Sequence, residues 1–290
     1  MTEIIIRAYS KINPYLEIIA KRKDGYHDLN TSFLSIGIDD KLKLKRINKQ
    51  RIIGPKTKRI PQKENLCFKA AQLMKRQSST KKGIKIELQK NIPLGAGLGG
   101  GSSDAASTIA GLNELWECNL SHEEMINIAK KIGADVPFFL GGGYCKAKGI
   151  GGELEQLKNK FIDRPILLIK PPFELSTPQV YKRYDELEET EKRTENFNHK
   201  RHPLKIKNDL ERAALSLKPE LKSYLEAVGN LSNLESFGLS GSGSGIFCIF
   251  NNEKPKEKKI QDKLKMELGK DNQFLFTTVT DSGYKIIDRK

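Results

Sequence analysis

With 290 residues, 37% of them hydrophobic, the chain is long enough for about two domains and a sizeable core. Its longest apolar runs, "VPFFL" and "PILLI", fall far short of the ~18 residues a membrane span needs, and Glu3, Arg7 and Lys11 break up the start too often for a signal-peptide hydrophobic region, so a cytoplasmic location is expected. A net charge of +15 raises nucleic acid as a partner, but the lysines are dispersed, with local densities at 41–63 and 254–270 and no recognition motif, so a solvated surface is expected and neither nucleic acid nor a membrane is an expected partner.

Residues 3–20 alternate and are rich in Ile, and an Asp24-Gly25 turn leads to a second apolar stretch ending at Ile38, which predicts a β-hairpin. The basic segment 45–63, carrying Pro55 and Pro61, reads as an exposed loop. Leu66, Ala70, Leu73 and Met74 then fall on one helical face, "GIKIELQ" reads as a strand, and Ala105, Ile109, Leu112 and Trp116 recur at helical spacing. Ser121 and Glu124 fit a capping box for a further helix, which Gly133 is expected to close. Strands "GYCKAKG" and "PILLIKP" follow, then a charged stretch, 182–207, that reads as a mobile connection, partly helical at most. Helices in "NDLERAALSLKPELKSYLEAV", a buried strand "SGIFCIF", a charged helix over 255–268 and a last strand "QFLFTTV" complete the chain. Mixing without strict alternation predicts an α+β protein of two domains, 1–157 and 158–290.

The chemistry concentrates in "PLGAGLGGGSSDAA", residues 93–106. Gly95, Gly97 and Gly100 match GxGxxG, but the acidic residue a dinucleotide site needs falls, as Glu117, at the helix end. No Lys follows the glycines before residue 130, so the run is no Walker loop, and the HRD and DFG motifs of protein kinases are missing. What remains is the physics of such loops: bare backbone that approaches a ligand closely, then a helix whose unpaired N–H groups attract anions. Ser102, Ser103 and Asp104 sit where that helix is expected to begin. Serine hydroxyls can meet phosphate or Mg²⁺, and an Asp beside phosphate calls for a cation, so the run favours a phosphate cradle with Mg²⁺ over a flexible turn.

A second such segment, "LSGSGSGIF" (239–247), suggests that both domains face one polyanionic ligand. Lys11 and Asn13 share one face of the first strand, where a Lys among apolar residues is unusual. Asp135, in "GADVPFFL", is either a turn-stabilising residue or, if it meets Lys11 in space, half of a pair that activates a hydroxyl nucleophile. The four cysteines are widely spaced and read as reduced thiols; His199 and His202 in "HKRH" sit in a charged stretch where a metal pair is not expected.

Taken in order, "SKIN", "RKDGYHDL", "PLGAGLGGGSSDAA", "GADVPFF", "NDLE" and "SGSGSG" resemble the GHMP-type small-molecule kinases over residues 7 to 250. The resemblance implies an N-terminal domain like domain 2 of ribosomal protein S5, a ferredoxin-like C-terminal domain, and ATP with Mg²⁺ bound between them, the metal ligands being unknown. "DGYH" and "NDLE" narrow it to the branch whose small-molecule substrate carries a cytidine diphosphate group, phosphorylated on a tertiary hydroxyl of its methylerythritol unit. By similarity Asp135 is the catalytic base and Lys11 its orienting lysine. Pro93, Leu94, Gly95, Ala96, Gly97, Leu98, Gly99, Gly100, Gly101, Ser102 and Ser103 would hold the ATP phosphates, and Asn65 would begin the adenine pocket. Asn13, Tyr26, His27, Tyr181, Gly241 and Gly243 would contact substrate. Tyr9, Ser10 and Pro14 around Lys11 depart from the family's usual residues. Oligomeric state is not legible.

Overall fold

The computed structural model describes residues 1–55, 60–78, 80–192, 206–251 and 253–290. The Ile-rich start forms β1 (Glu3–Lys21), paired antiparallel with β2 (His27–Ile47). The turn between them is made by Asp24, which accepts the Tyr26 N–H at 3.1 Å and binds Arg22 at 2.9 Å. Pairing along β1 shifts register between Tyr9 and Ser10 and again between Ile12 and Tyr15. Pro14, with no N–H to give, lies inside the second shift. These bulges bend the strand where Lys11 and Asn13 sit, the usual way a sheet re-aims side chains.

Beyond β2 come β3 (Ile52–Ile53), α1 (Leu66–Gln77) and β4 (Gly83–Gln89), then α2 (Gly100–Leu115), α3 (His122–Lys130), α4 (Phe138–Gly141), β5 (Tyr144–Gly149) and β6 (Glu153–Leu157). β4 and β5 each pair with β2, β3 pairs with β4, and β6 pairs with β5. The helices cover one face of this first sheet. Ile4, Ile6, Leu42, Leu44, Ile84 and Ile86 supply the strand side of the core; Ala70, Met74, Ala105, Ile109 and Leu112 supply the helix side. α2 is buried almost all round, and at Gly111 any side chain would collide with Ile6 and Leu44, so the helix lies directly on the sheet. The capping box of α3 is present: Ser121 Oγ accepts from Glu124 N at 3.2 Å and Glu124 accepts from Ser121 N at 2.8 Å. The helix ends at Lys130 with Lys131 as its C-cap, and the Gly133 N–H donates to the Ala129 carbonyl of its last turn at 3.3 Å.

The rest of the chain gives β7 (Pro165–Lys170), α5 (Thr177–Glu186), α6 (Glu189–Lys192), β8 (Lys207–Asn208), α7 (Glu211–Leu217), α8 (Leu221–Gly229), β9 (Leu234–Leu239), β10 (Ile246–Phe250), α9 (Glu257–Leu268), β11 (Gln273–Thr278) and β12 (Tyr284–Arg289). The second sheet is antiparallel in the order β11-β7-β10-β9. Both faces of its central strands are buried, which is why "PILLI" and "IFCIF" are uninterrupted apolar runs. Leu167, Ile169, Ile246 and Cys248 face a core shared with α7 and α8, whereas Ile166, Leu168, Phe247 and Ile249 pack with Ile12, Leu34 and Ile36 of the first sheet.

Three expectations need correction. "QFLFTTV" is not the last strand, because β12 follows and pairs with β1; β6 and β9 were also unforeseen. The segment 45–63 is not all loop, since β2 runs to Ile47 and β3 lies within it. The stretch 182–207 is partly helical as expected, holding the end of α5 and α6, but its last residue opens the unforeseen β8; residues 193–205, including His199 and His202, lie outside the described residues. The second sheet begins with β7, whereas β8 and β12 belong to the first, so strands of the 158–290 segment lie in both sheets. No helix among the described residues is long and apolar enough to cross a membrane, and all four cysteines are free.

Candidate active site

Where the two halves meet lies a cavity of about 720 Å³. Its walls bring together Lys11, Asn13, Tyr26 and His27 from the first hairpin, the loop from Pro93 to Gly101, and Asp135, Tyr181 and Gly241. Asn65, Ser102, Ser103 and Gly243 are not among the lining residues.

At one end, the Lys11 ammonium is 3.5 Å from Asp135 Oδ2, donates to Asn13 Oδ1, and lies 5.1 Å from the centre of the Phe33 ring. Asn13 is itself oriented, since its Nδ2 donates to Thr31 Oγ1 at 3.1 Å and the Thr31 hydroxyl donates to the Tyr15 carbonyl at 2.6 Å. The lysine is 5% exposed, while the Asp135 side chain is 35% exposed and faces the cavity. A cation in a poorly hydrated position next to an accessible carboxylate can support proton removal from a bound hydroxyl.

The glycine loop lies beside this pair, with Lys11 N donating to the Leu98 carbonyl at 3.1 Å. Gly95, Gly97 and Gly99 take left-handed φ values of 62, 70 and 67°. At Gly97 a side chain would strike the Ser240 carbonyl as well, so this position needs glycine twice over. The second glycine-serine loop braces the first from behind: Ser240 Oγ donates to the Gly97 carbonyl at 3.1 Å and Ser244 N to the Gly95 carbonyl at 3.3 Å. Of that second loop Gly241 reaches the cavity, whereas Gly243 turns toward Leu175 and Leu239. The "NDLE" motif fixes it there, Asn208 Nδ2 donating to the carbonyls of Leu239 and Gly241 at 3.0 and 2.8 Å.

α2 starts at Gly100 with Gly99 as N-cap, earlier than the serines suggest. Ser103 is therefore already inside the helix, its N–H bonded to the Gly99 carbonyl at 2.9 Å and its hydroxyl buried without a hydrogen-bond partner. Asn65 caps α1 instead of facing the cavity, its Oδ1 accepting from Cys67 N at 2.9 Å. Asp104 turns away from any phosphate toward Lys90, 2.8 Å off, which also pairs with Asp40. Burial, only partly offset by Lys90, pushes the Asp104 carboxyl well above its usual range.

The loop and the first turn of α2 fit a polyphosphate: left-handed glycines, close backbone approach and helix N–H groups without helical partners occur together. Mg²⁺ fits less well, because Asp104 is engaged by Lys90 and no cluster of three acidic, His or Cys ligands occurs among the described residues.

At the other end, Tyr26 is 65% exposed, and His27 is buried with Tyr181 stacked on its ring, centroids 4.9 Å apart. Burial, and next the charge of Asp135, raise the Tyr181 hydroxyl above its ordinary range. Asp185 binds His27 here, a residue the sequence reading passed over within a charged stretch. The available signal was spacing, since Asp185 follows Tyr181 by four residues, one helical turn on the same face.

Residues 65–143 match the GHMP kinases N terminal domain. A 4-diphosphocytidyl-2-C-methyl-D-erythritol kinase of Prochlorococcus marinus (strain NATL1A) is 35% identical over 280 residues, covering 89% of this chain and 88% of that protein. The kinase of the same name from Thermoanaerobacter pseudethanolicus is 36% identical, covering 90% and 92%. The crystal structure of a 4-(cytidine 5'-diphospho)-2C-methyl-D-erythritol kinase matches with a TM-score of 0.79 at 28% identity, over 95% of this chain and 99% of that one. A homoserine kinase from Cytophaga hutchinsonii shares the fold, with a TM-score of 0.68 at 19% identity over 99% and 98% of the chains. With its cleft and its glycine loops in place and relatives of this identity along most of its length, the chain belongs to the 4-diphosphocytidyl-2-C-methyl-D-erythritol kinase family of the GHMP kinases.

Proposed function

We propose that this protein transfers the γ-phosphoryl group of ATP to the 2-hydroxyl of 4-diphosphocytidyl-2-C-methyl-D-erythritol. One observation carries the reading: a single cavity holds a lysine–carboxylate pair and a glycine cradle at one end and an aromatic cluster at the other. An extended substrate with an alcohol at one end and a flat base at the other suits that shape. Phosphoryl transfer is mainly positioning and charge stabilisation, and the residues divide accordingly.

ATP supplies the phosphoryl group. Backbone N–H groups of the Pro93–Gly101 loop and of the first turn of α2 would hold its phosphates. Ser102, Ser103 and Asn65 would act through the helices they belong to, Asn65 by capping α1. Mg²⁺, bound with ATP, would supply neutralisation of the charge on the phosphates. Asp135 would take the hydroxyl proton as the new O–P bond forms, and Lys11 would stabilise the developing alkoxide. Asn13, held by Thr31, would orient the polyol, with Gly241 closing the other side. Tyr26, His27 and Tyr181 would receive the cytosine.

The test is an ATP-consumption assay with the cytidine-diphosphate substrate, homoserine, mevalonate and galactose offered separately. Turnover is expected with the first alone. Turnover with one of the other alcohols and none with the cytidine compound would overturn the proposal.

A further inference from the structure

His27 is held on almost every side. Its Nε2 lies 2.8 Å from Asp185 Oδ1, Tyr181 covers one ring face at an interplanar angle of 29°, and Tyr184 meets it edge-on with centroids 6.3 Å apart. The second oxygen of Asp185 is fixed in turn by Lys21, 2.7 Å away. Asp185 and His27 both line the cavity, and His27 Nδ1 has no hydrogen-bond partner among the described residues.

We infer that Asp185 is a positioning residue that keeps the His27 ring hydrogen on Nε2, so that Nδ1 meets the incoming base as an acceptor and selects a pyrimidine bearing an exocyclic amine. The inference rests on the proposed function, which brings a cytosine to this end of the cleft. An ionised carboxylate only accepts hydrogen bonds, so the shared hydrogen belongs to the imidazole. Burial works against that ionisation, but hydrogen bonds from Lys21 and His27 outweigh it and hold the Asp185 carboxyl below its usual range. In the neutral ring a hydrogen on Nε2 leaves a lone pair on Nδ1.

Cytosine offers an N4 amine where uracil offers a carbonyl oxygen, so the same lone pair attracts one base and opposes the other. A buried acceptor facing an acceptor loses its hydrogen bond and is not rehydrated, which corresponds to roughly 10- to 100-fold in affinity. α5 delivers the arrangement as a unit, with Tyr181 and Asp185 one turn apart.

The experiment compares kcat/KM for the cytidine substrate and for its uridine counterpart in the wild-type enzyme and in Asp185→Asn. The wild type is expected to prefer cytidine by ~10-fold or more. An amide can donate as well as accept, so in Asp185→Asn the preference should collapse toward unity, mainly through KM. Equal losses on both substrates with the preference intact would assign Asp185 a merely structural role and overturn the inference. Independently of any variant, ¹⁵N shifts of His27 in the wild-type protein should report the Nε2–H tautomer; the Nδ1–H form would overturn it as well. A wild type inactive on the cytidine substrate marks failure of the functional reading itself, and the inference falls with it.

Discussion

Two lysine–carboxylate groups flank the glycine loop, and they are built in opposite ways. In the first the cation is hidden, Lys11 having 6% side-chain exposure, and its partner Asp135 is open at 35%. In the second the cation is the open member, Lys90 at 24%, and the carboxylates of Asp40 and Asp104 are at 0 and 4%. Asp40 is further committed, accepting the N–H groups of Asn91 and Ile92 at 2.6 and 2.9 Å. Proximity of opposite charges therefore does not separate chemistry from architecture here. The accessible carboxylate does: Asp135 lines the cavity, where the proposed hydroxyl would reach it, while the buried Asp40 and Asp104 hold Lys90, at the strand end before the loop, to β2 and to the helix after the loop.

Each group can be broken separately. Asp135→Asn should lower kcat by roughly 10²–10⁴-fold while leaving nucleotide binding and the unfolding midpoint close to wild type. Near-normal turnover would erase the distinction between the two groups. Lys90→Met should do the reverse, stranding two buried carboxylates at a cost of about 3–5 kcal/mol, read from denaturant unfolding. A fully stable but inactive variant would instead move Lys90 to the reactive group. The smallest effect concerns pH. Asp104 carries a raised carboxyl pKa in the folded state, chiefly through burial, and an ordinary one of about 3.9 when unfolded. Between those values the native state binds the extra proton, so stability should fall as pH rises through that window. Asp104→Asn cannot ionise and should lose that decline, which unfolding measurements from about pH 4 to pH 8 would reveal. An identical slope in the variant would assign it to another group.

Much of this site was legible because its residues break local rules: a lysine in an apolar strand, repeated glycines before a helix, an Asp ahead of a proline. The long hairpin and α2 were readable from periodicity, since each is patterned along its own length. Interactions that join distant segments were not. β12, "YKIIDR", has too little apolar alternation to announce itself and is a strand because β1 offers it an edge. Asp185 looked like part of a solvated charge run, and its meaning comes from His27, 158 residues away. The serines misled for a related reason: they are good caps, but the chain turns at Gly99 and places them inside the helix.

The pairing of β12 with β1 also bears on how the protein is made. Ile4 pairs with Arg289, so the strand that carries Lys11 is translated early and keeps an unfilled edge until the code for residues 284–289 has been read. An unpaired edge invites association with other chains, and contacts this far apart in sequence close slowly. The half translated first is thus completed last, and a fragment ending at residue 157 would leave that edge of β1 uncovered.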